Sequence, residues 1–247
     1  MRATRIQMGM PVTVEVVGSA DPAVFDRVFD YFDRIDRKFS TYRSDSEISA
    51  INAGALDEAS ITDEMREVLA LAEITREETG GYFDIRTPEG KLDPSGIVKG
   101  WAVRNAALLL ADAGFGDFFV DAGGDIQSRG KNASHTGWTI GIRSPFRAEE
   151  IIKVIRPQGS GVATSGTYVR GQHIYNPHAP ARAIDDIVSL TVIAADVCEA
   201  DRFATAAFAM GRAGIAFLES RPGVEAYAVW PDGRATMTSG FEAFVPC

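Results

Sequence analysis

The stretch Asp93–Gly100, with the sequence DPSGIVKG, marks the point where a polar loop turns into an apolar helix. Asp93 and Ser95 are side chains of the kind that cap a helix, and the free amides of a first helical turn attract anions. Gly96 lets a ligand approach the backbone closely, and Lys99 adds a mobile cation that suits a phosphate. An ordinary capped helix accounts for the same residues. A P-loop is excluded, because the order GxxxxGK[ST] is missing.

A second helix, expected from about Asp196 to Met210, carries two oxygen-bearing side chains on one face. Asp201 and Thr205 are four residues apart, so they lie one helical turn from each other. A carboxylate and a hydroxyl are hard oxygen ligands, which suit Mg²⁺ or Ca²⁺ better than zinc. Two structural alternatives stay open: a hydrogen bond between Asp201 and Thr205, or an ion pair between Asp201 and Arg202.

Three further polar turns are rich in glycine: Gly81–Ile85 (GYFDI), Asp121–Asp125 (DAGGD) and Gly161–Gly166 (GVATSG). Each is explained by an ordinary turn at a strand end, and each has the backbone freedom to receive a ligand. His173 is the ring base that we place near the hydroxyls of the last turn. Asp125 is the other candidate to accept a proton, and the sequence leaves the choice open.

Hydrophobic periodicity predicts an α+β fold. Alternating valines at the N-terminus indicate a half-buried strand, and phenylalanines at helical spacing after Asp21 and Pro22 indicate a core-facing helix. The expected helices are Asp21–Phe39, Thr62–Gly80, Ser95–Gly114, Asp196–Met210 and Arg212–Leu218. The expected strands are 10–17, 118–120, 138–143, 151–156, 161–165, 173–175, 187–193, 224–230 and 235–238. Long helices beside runs of antiparallel strands favour the α+β class over a parallel doubly wound sheet.

Length and charge limit the partners. The chain has 247 residues, which fits one large domain or two fused lobes. It has 25 Lys and Arg against 34 Asp and Glu, a net charge of −9, so it lacks the basic footprint of a general nucleic-acid or anionic-membrane binder. An anionic ligand must then be met by backbone amides, a metal ion or single cations.

Cysteine content and hydropathy bear on location. The two cysteines, Cys198 and Cys247, form neither a disulfide framework nor a metal-binding spacing. No apolar run approaches the ~20 residues of a membrane span, and the N-terminus has no apolar signal core. We therefore expect a cytoplasmic protein as the chain is written. If an export segment was removed, a periplasmic or other extracytoplasmic location is expected instead.

Eight segments taken together point to a known family. In chain order they are Met8–Met10, Ser40–Tyr42 with Ser46–Ile48, Gly81–Asp84, Asp93–Gly100, Gly123–Asp125, Ser165–Gly166, His173–Pro177 and Ala200–Thr205. Each is weak alone, but their order from Met8 to about Gly211 resembles that of the FAD:protein FMN transferase family, also called the ApbE family.

The resemblance implies a fold and an activity. The fold is α+β of the T-fold-like type, with antiparallel sheets packed with helices and FAD held in a cleft between two lobes. We expect residues 1–247 to form one such domain, with two intimately packed lobes as the alternative. The implied reaction is the Mg²⁺-dependent transfer of FMN from FAD to a Thr or Ser hydroxyl of an acceptor protein, which forms a phosphoester and releases AMP.

The resemblance also assigns residues. The FAD site would be lined by Met8, Tyr42, Tyr82, Phe83, Asp84, Asp93, Ser95, Lys99, Ser165 and Ile174. Magnesium would be held by the carbonyl of Gly96 and by Asp201 and Thr205. His173 matches the histidine proposed to help activate the acceptor hydroxyl or to organise the metal, with Asp125 as the alternative base. We expect the aromatic rings of Tyr42, Tyr82 and Phe83 to pack on the flavin or the adenine.

Two positions depart from the family pattern. Met10 stands where the family more often has threonine after Met-Gly. Asn176–Pro180 reads NPHAP, where an acidic residue followed by Pro-x-Thr-Gly is usual, close to the acceptor side of the family's site.

Two alternative functions are kept: an FAD pyrophosphatase that releases FMN and AMP, and an FAD-binding protein without turnover. A Rossmann dehydrogenase is excluded by the lack of GxGxxG after a strand.

Overall fold

The computed structural model describes residues 1–18, 21–57, 59–147, 149–166 and 174–246. Within these ranges the helices are α1 Pro22–Phe39, α2 Glu47–Asn52, α3 Asp63–Glu78, α4 Ser95–Asp112, α5 Val197–Ala209 and α6 Ala213–Glu219. The strands are β1 Arg2–Gln7, β2 Met10–Val16, β3 Phe118–Ala122, β4 Asp125–Arg129, β5 Ile140–Arg143, β6 Ile151–Ile155, β7 Gly161–Gly166, β8 Ser189–Ala194, β9 Glu225–Val229 and β10 Ala235–Met237. A 3₁₀ turn, Phe241–Phe244, follows the last strand. The predicted α+β class is confirmed.

One large antiparallel sheet organises the described residues. Its strand order is β1-β2-β3-β4-β7-β8-β9-β10, and each neighbouring pair is antiparallel. The chain leaves the sheet between β4 and β7 to form a separate two-stranded ribbon, β5 with β6. Because β4 pairs directly with β7, the turn that begins β4 lies next to the Gly161–Gly166 strand.

Burial shows how the sheet is covered. In β2 the side chains of Val12, Val14 and Val16 are fully buried and pack with the apolar face of α1. In β8 all six residues are buried, which indicates that both faces of this strand are covered. Leu190 belongs to a cluster with α5, whereas Ile193 belongs to a cluster with the ribbon and the 3₁₀ turn. The sheet is therefore a central layer in its second half.

Helix α1 forms as its sequence indicates. Asp21 accepts a hydrogen bond from the amide of Ala23, and Pro22 occupies the first turn, where a missing N–H costs nothing. The phenylalanines at helical spacing are buried, so this stripe is a core face, as expected.

Helices α4 and α5 pack against each other at very short range. Both are rich in apolar residues around their circumference, which fits helices buried between other elements. At Gly100 an added Cβ would lie 2.6 Å from the Cβ of Asp201 and 2.8 Å from the carbonyl oxygen of Val197. Only glycine allows this approach, and it brings the first two turns of α4 beside the middle of α5.

The secondary structure differs from the sequence prediction in several places. The prediction missed β1, β4 and the short helix α2, and it placed a strand at 173–175 that is wrong for residues 174 and 175. Strand β4 is short and mixed in character, so it is stabilised by pairing with β3 and β7 and not by its own alternation. Residue 173 lies outside the described residues. The division into one domain or two lobes stays a prediction.

No helix in the described part of the chain combines the length and the hydropathy needed to cross a lipid bilayer.

Replacing Gly100 by alanine should destabilise the protein. The new methyl group would meet the backbone of Val197, which cannot move aside cheaply, so overpacking costs about 1–3 kcal/mol and exceeds the gain of up to ~1 kcal/mol in helix propensity. Urea unfolding of G100A should show a lower midpoint. Gly116→Ala is the matched control, because its Cβ would meet no atom within 4 Å. Equal midpoints for the two variants would contradict the close approach.

Candidate active site

Three charged side chains meet where α4, α5 and β4 come together. The Nζ of Lys99 lies 2.7 Å from Oδ2 of Asp125 and 3.8 Å from Oδ1 of Asp201. Asp125 begins β4, and Asp201 lies in the middle of α5. Both carboxyl groups are buried, and Lys99 retains only 16% of its side-chain exposure. One ammonium group thus faces two carboxyl groups, so the cluster can accept a further cation.

Asp201 is held by the backbone of the neighbouring helix. The amide of Gly100 donates a hydrogen bond of 2.8 Å to its Oδ2. Burial is the largest influence on this carboxyl group, and with the nearby charge of Asp125 it raises the pKa of Asp201 to about 7, although Lys99 and the Gly100 amide act in the opposite direction. Burial therefore makes the charged form of Asp201 costly, and a bound cation would offset this cost.

Oxygen donors of three kinds lie at the same place. The hydroxyl of Thr205 donates a long hydrogen bond of 3.5 Å to the carbonyl oxygen of Gly96, and Asp201 lies one turn before Thr205 on α5. A carboxylate, a hydroxyl and a carbonyl are the hard donors that suit Mg²⁺, which keeps several water ligands of its own. Among the described residues no group of three or more His, Cys, Asp and Glu could hold a metal. The chemistry of this mixed donor set fits magnesium.

The alternative partners of Asp201 are not used. The side chain of Thr205 bonds to Gly96 and not to Asp201. The guanidinium of Arg202 pairs with Glu78 at the end of α3 and lies 4.1 Å from the centre of the Phe203 ring. Since neither structural alternative occurs, the buried carboxyl group of Asp201 faces the Lys99 ammonium, as a ligand-binding group would.

Asp125 is fixed by a tight turn and a neighbouring strand. The turn before it contains Gly123 and Gly124, both with positive φ, and the Gly124 amide donates a 2.8 Å hydrogen bond to Asp121. Burial raises the pKa of Asp121. The amide of Thr164 in β7 donates to Oδ1 of Asp125 at 3.3 Å. The Asp121–Asp125 turn and strand β7, separate in sequence, therefore support one side chain. The segment Gly161–Gly166, expected as a glycine-rich turn, is this strand, because it pairs with β4 and β8.

Comparison with known proteins gives the family. The model of the ApbE family matches residues 8–89 and 85–228, which together cover most of the chain. The chain belongs to the ApbE family. The resemblance drawn from eight short segments is confirmed, and so is the fold that it implies.

Relatives of this ApbE chain carry a common name. It is 27% identical to the FAD:protein FMN transferase of Escherichia coli (strain K12) over 176 residues, 66% of this chain and 50% of the relative. It is 28% identical to the FAD:protein FMN transferase of Rhodobacter capsulatus over 232 residues, 91% of this chain and 41% of the relative. The chain spans about half the length, or less, of these curated relatives.

Solved structures agree with the fold. The flavin transferase ApbE from Vibrio cholerae matches with a TM-score of 0.87 at 23% identity, covering 99% of both chains. The ApbE protein from Thermotoga maritima matches with a TM-score of 0.88 at 22% identity, covering 100% of this chain and 99% of the other. The antiparallel sheet packed with helices is thus the ApbE architecture, and the FAD cleft between two lobes stays a prediction.

The start of α4 has the polar groups that the ApbE pattern predicts. Oδ1 of Asp93 accepts a 3.1 Å hydrogen bond from the amide of Ser95 and a second from its hydroxyl. The carbonyl of Pro94 accepts from the amides of Ile97 and Val98, which begins the helical ladder. Asp93 thus closes the turn that precedes α4. The expected side-chain cap is absent, because Pro94 occupies the N-cap position and neither Asp93 nor Ser95 caps the helix. Ser95 is exposed, whereas Lys99 reaches inward to the acids.

Tyr82 and Phe83, both expected to contact FAD, differ in burial. Phe83 is buried, and its ring edge lies 3.2 Å from the Cβ position of Gly96. It packs against the first turn of α4, and its predicted contact with flavin or adenine stays a prediction. Tyr82 is half-buried and contacts the ring of His178 with a centroid distance of 4.6 Å. Tyr82 is therefore the ring of this segment that a ligand can reach.

Asp84 lies at a small cavity beside the Gly81–Asp84 segment. Its Oδ1 accepts a 2.8 Å hydrogen bond from the amide of Arg86. The cavity has a volume of about 230 Å³ and a lining of both apolar and charged side chains. It is lined by Leu69, Ala72, Glu73, Arg76, Asp84, Ile85, Arg86 and Leu92. The carboxylate of Asp84, a predicted FAD-binding residue, therefore lines this cavity.

The remaining predicted residues that the structure describes differ in burial. Met8 is half-buried in the β1–β2 turn with a φ of 50°, and Ser165 is buried in β7. Ile174 packs against the cluster around α5. Tyr42 is 97% exposed, so its own packing does not fix its ring in a site. His173, the predicted base, lies outside the described residues, and the FAD contacts of all these residues stay predictions.

Two contributors to the site were missed in the sequence. Gly100 supplies the amide that holds Asp201, and its spacing of four from Gly96 is the signal that could have shown a small-residue helix face. Thr164 supplies a backbone amide, for which no residue type is diagnostic.

Replacing Lys99 by methionine should destabilise the protein strongly. The buried carboxyl groups of Asp125 and Asp201 would face each other without their ammonium partner, a change that typically costs about 3–5 kcal/mol. The free energy of unfolding in urea at pH 8, with metal removed by chelation, measures the loss. Lys91→Met, at an exposed position, should change this energy by less than ~0.5 kcal/mol. A K99M protein as stable as K91M would show that the ion pairs contribute little.

Asp201 should also set a pH dependence of stability. Its folded pKa of about 7 exceeds the value of 3.8 expected when unfolded, so between these pH values the folded state binds the extra proton. Its contribution to stability therefore falls as the pH rises from about 4 to about 7, and the cost is complete above pH 7. Unfolding midpoints of the metal-free protein should show this slope, and Asp201→Asn should remove it. An unchanged slope in D201N would assign the effect to another group.

Proposed function

We propose that this chain transfers FMN from FAD to a Thr or Ser hydroxyl of an acceptor protein, with release of AMP. The observation that carries the proposal is the meeting of Lys99, Asp201, Thr205 and the Gly96 carbonyl at the start of α4, in a chain of the ApbE family. The name FAD:protein FMN transferase of its relatives supports the same reaction.

The bond changes define what the site must do. The acceptor oxygen attacks the phosphorus of the FMN half of FAD, and a P–O bond forms. The bond from that phosphorus to the bridging oxygen breaks, and AMP leaves with this oxygen. The hydroxyl proton passes to a base. Since such transfers depend mainly on positioning and charge neutralisation, the site needs cations at the pyrophosphate and a fixed nucleotide.

Magnesium fits the described donors. The carboxylate of Asp201, the hydroxyl of Thr205 and the carbonyl of Gly96 would hold it. When bound, magnesium supplies positive charge that stabilises the pyrophosphate and the leaving AMP. Gly100 keeps Asp201 oriented through its amide, so the carboxylate does not have to be ordered when the ion arrives.

Lys99 and the start of α4 supply the remaining positive potential. The N-terminus of a helix carries partial positive charge. At α4 the amides of Ser95, Ile97 and Val98 are already bonded to Asp93 and Pro94, so the helix contributes through its dipole and Lys99 supplies the full positive charge. The Lys99 ammonium lies within reach of both acids, so it is held at the site before the substrate enters. These local features explain how a chain with a net charge of −9 handles an anionic dinucleotide.

The burial of Asp125 favours His173 as the base. The side chain of Asp125 is inaccessible, lies 2.7 Å from Lys99 and accepts a bond from Thr164. A protein hydroxyl has no approach to it, so we assign Asp125 the role of orienting Lys99. His173 then takes the hydroxyl proton, as the family resemblance implies.

The proposed reaction is tested with purified protein, FAD, Mg²⁺ and a flavin-acceptor protein. A fluorescent acceptor band on a denaturing gel, with AMP in solution, is the expected result. Liquid chromatography separates the alternatives, because a pyrophosphatase gives free FMN with AMP and a storage protein returns intact FAD. Either of those results with a competent acceptor would overturn the transferase assignment.

Asp201→Asn should abolish the magnesium-dependent transfer. The amide keeps the size of the side chain but removes the negative charge that attracts the cation, so turnover should fall at least about 100-fold. Asp112→Asn, an exposed change on α4, is the matched control and should keep full activity. Turnover in D201N equal to that of D112N would remove Asp201 from the magnesium ligands.

A further inference from the structure

The turn Asn176–His178 contacts the segment that carries Tyr82. Nε2 of His178 lies 2.9 Å from the carbonyl oxygen of Gly80, although the two residues are 98 positions apart. A carbonyl oxygen only accepts, so Nε2 carries a proton and donates it. The His178 ring also meets the Tyr82 ring edge to face, with an interplanar angle of 69°. One side chain thus holds both the backbone and the ring of this segment.

The Gly80–Gly81 backbone is shaped to receive the imidazole. Both glycines have positive φ, a conformation that other residues rarely adopt. At Gly81 an added Cβ would lie 3.3 Å from Cε1 of His178, so the imidazole packs closely against Gly81. The contact therefore depends on this glycine pair as well as on the histidine.

A second contact ties the other end of the same segment. The hydroxyl of Tyr175 donates a 3.3 Å hydrogen bond to the carbonyl oxygen of Arg86. The turn itself is closed by Asn176, whose Oδ1 accepts a 2.9 Å hydrogen bond from the amide of His178. Residues 175–178 therefore hold residues 80–86 at both ends, with the predicted FAD-binding residues between them.

Tyr82 is placed between this turn and the protein core. It is half-buried and packs against the apolar cluster around α5, while His178 restrains its ring from the outer side. An aromatic side chain held in this way loses little further freedom when a planar ligand arrives. His178 itself is exposed, so it does not contribute to the packing of the core.

We infer that His178 is a positioning residue that fixes Tyr82 for the binding of FAD. This inference rests on the proposed function, because it takes FAD as the ligand of the Tyr82 segment. His178 lies in the NPHAP turn, where this chain departs from the pattern of its family. The imidazole supplies a donor to Gly80 and a ring against Tyr82, and it takes no part in the bond changes.

The inference is tested through the affinity for FAD. Quenching of flavin fluorescence gives the Kd with Mg²⁺ present and no acceptor. His178→Ala should raise the Kd about two- to tenfold, the range expected for loss of an aromatic pair. His178→Phe keeps a ring but loses the donor to Gly80, and its Kd should be intermediate. In the transfer assay H178A should raise the KM for FAD, while kcat stays within about twofold.

A double-mutant cycle separates positioning from general support. Tyr82→Leu should raise the Kd by itself, and adding His178→Ala to it should change the Kd by less than about twofold, because the residue through which His178 acts is already gone. His135→Asn is the matched control. It removes an exposed histidine from another loop and leaves a residue that tolerates the φ of 58° found there, so the Kd should stay unchanged.

The outcomes are distinguishable. If the wild-type protein binds FAD and H178A has the same Kd, the inference is overturned while the proposed function stands. Fully additive effects in the double mutant, or an equal effect of His135→Asn, would overturn it as well. A wild-type protein that does not bind FAD would overturn the proposed function and this inference together. Thermal melting of each variant confirms that the proteins compared are folded.

Discussion

The contact of the Lys99 ammonium with Asp125 and Asp201 is the interaction on which the site depends. It joins helix α4 and strand β4, which supply Lys99 and Asp125, to helix α5, which supplies Asp201. Two buried carboxyl groups with one ammonium group form a cluster that still attracts a cation. Two of the acidic residues behind the net charge of −9 can therefore help to bind an anionic ligand, because the cation that they attract would contact it.

This cluster is possible only because two helices approach unusually closely. Gly100 has no side chain between α4 and α5, and its amide reaches Asp201 directly. The same arrangement brings the carbonyl of Gly96 to the hydroxyl of Thr205 and places Phe83 beneath both. The candidate magnesium donors are therefore a consequence of helix packing. They are not a local motif that would form on a helix alone.

Sequence reasoning succeeded where a pattern is local. Helical periodicity after Asp21 gave the extent of α1, and the i, i+4 spacing of Asp201 and Thr205 placed them on one face of α5. It failed at β4 and at α2, which are short and are held by their neighbours, and at residues 174–175, where a strand was expected. The ring of Phe83 could be recognised as aromatic, but its burial against Gly96 depends on α4 and was not readable.

The sequence by itself determined the α+β class, the family and the residue types of the site, because periodicity, composition and motif order are written along the chain. Only the tertiary structure decided which groups meet. Lys99 turns toward two acids, Asp125 is sealed from solvent, Arg202 pairs with Glu78, and His178 reaches Gly80 across 98 residues. The reason is physical: the burial and the charges that surround a side chain come from elements distant in sequence, and spacing along one segment carries no record of them.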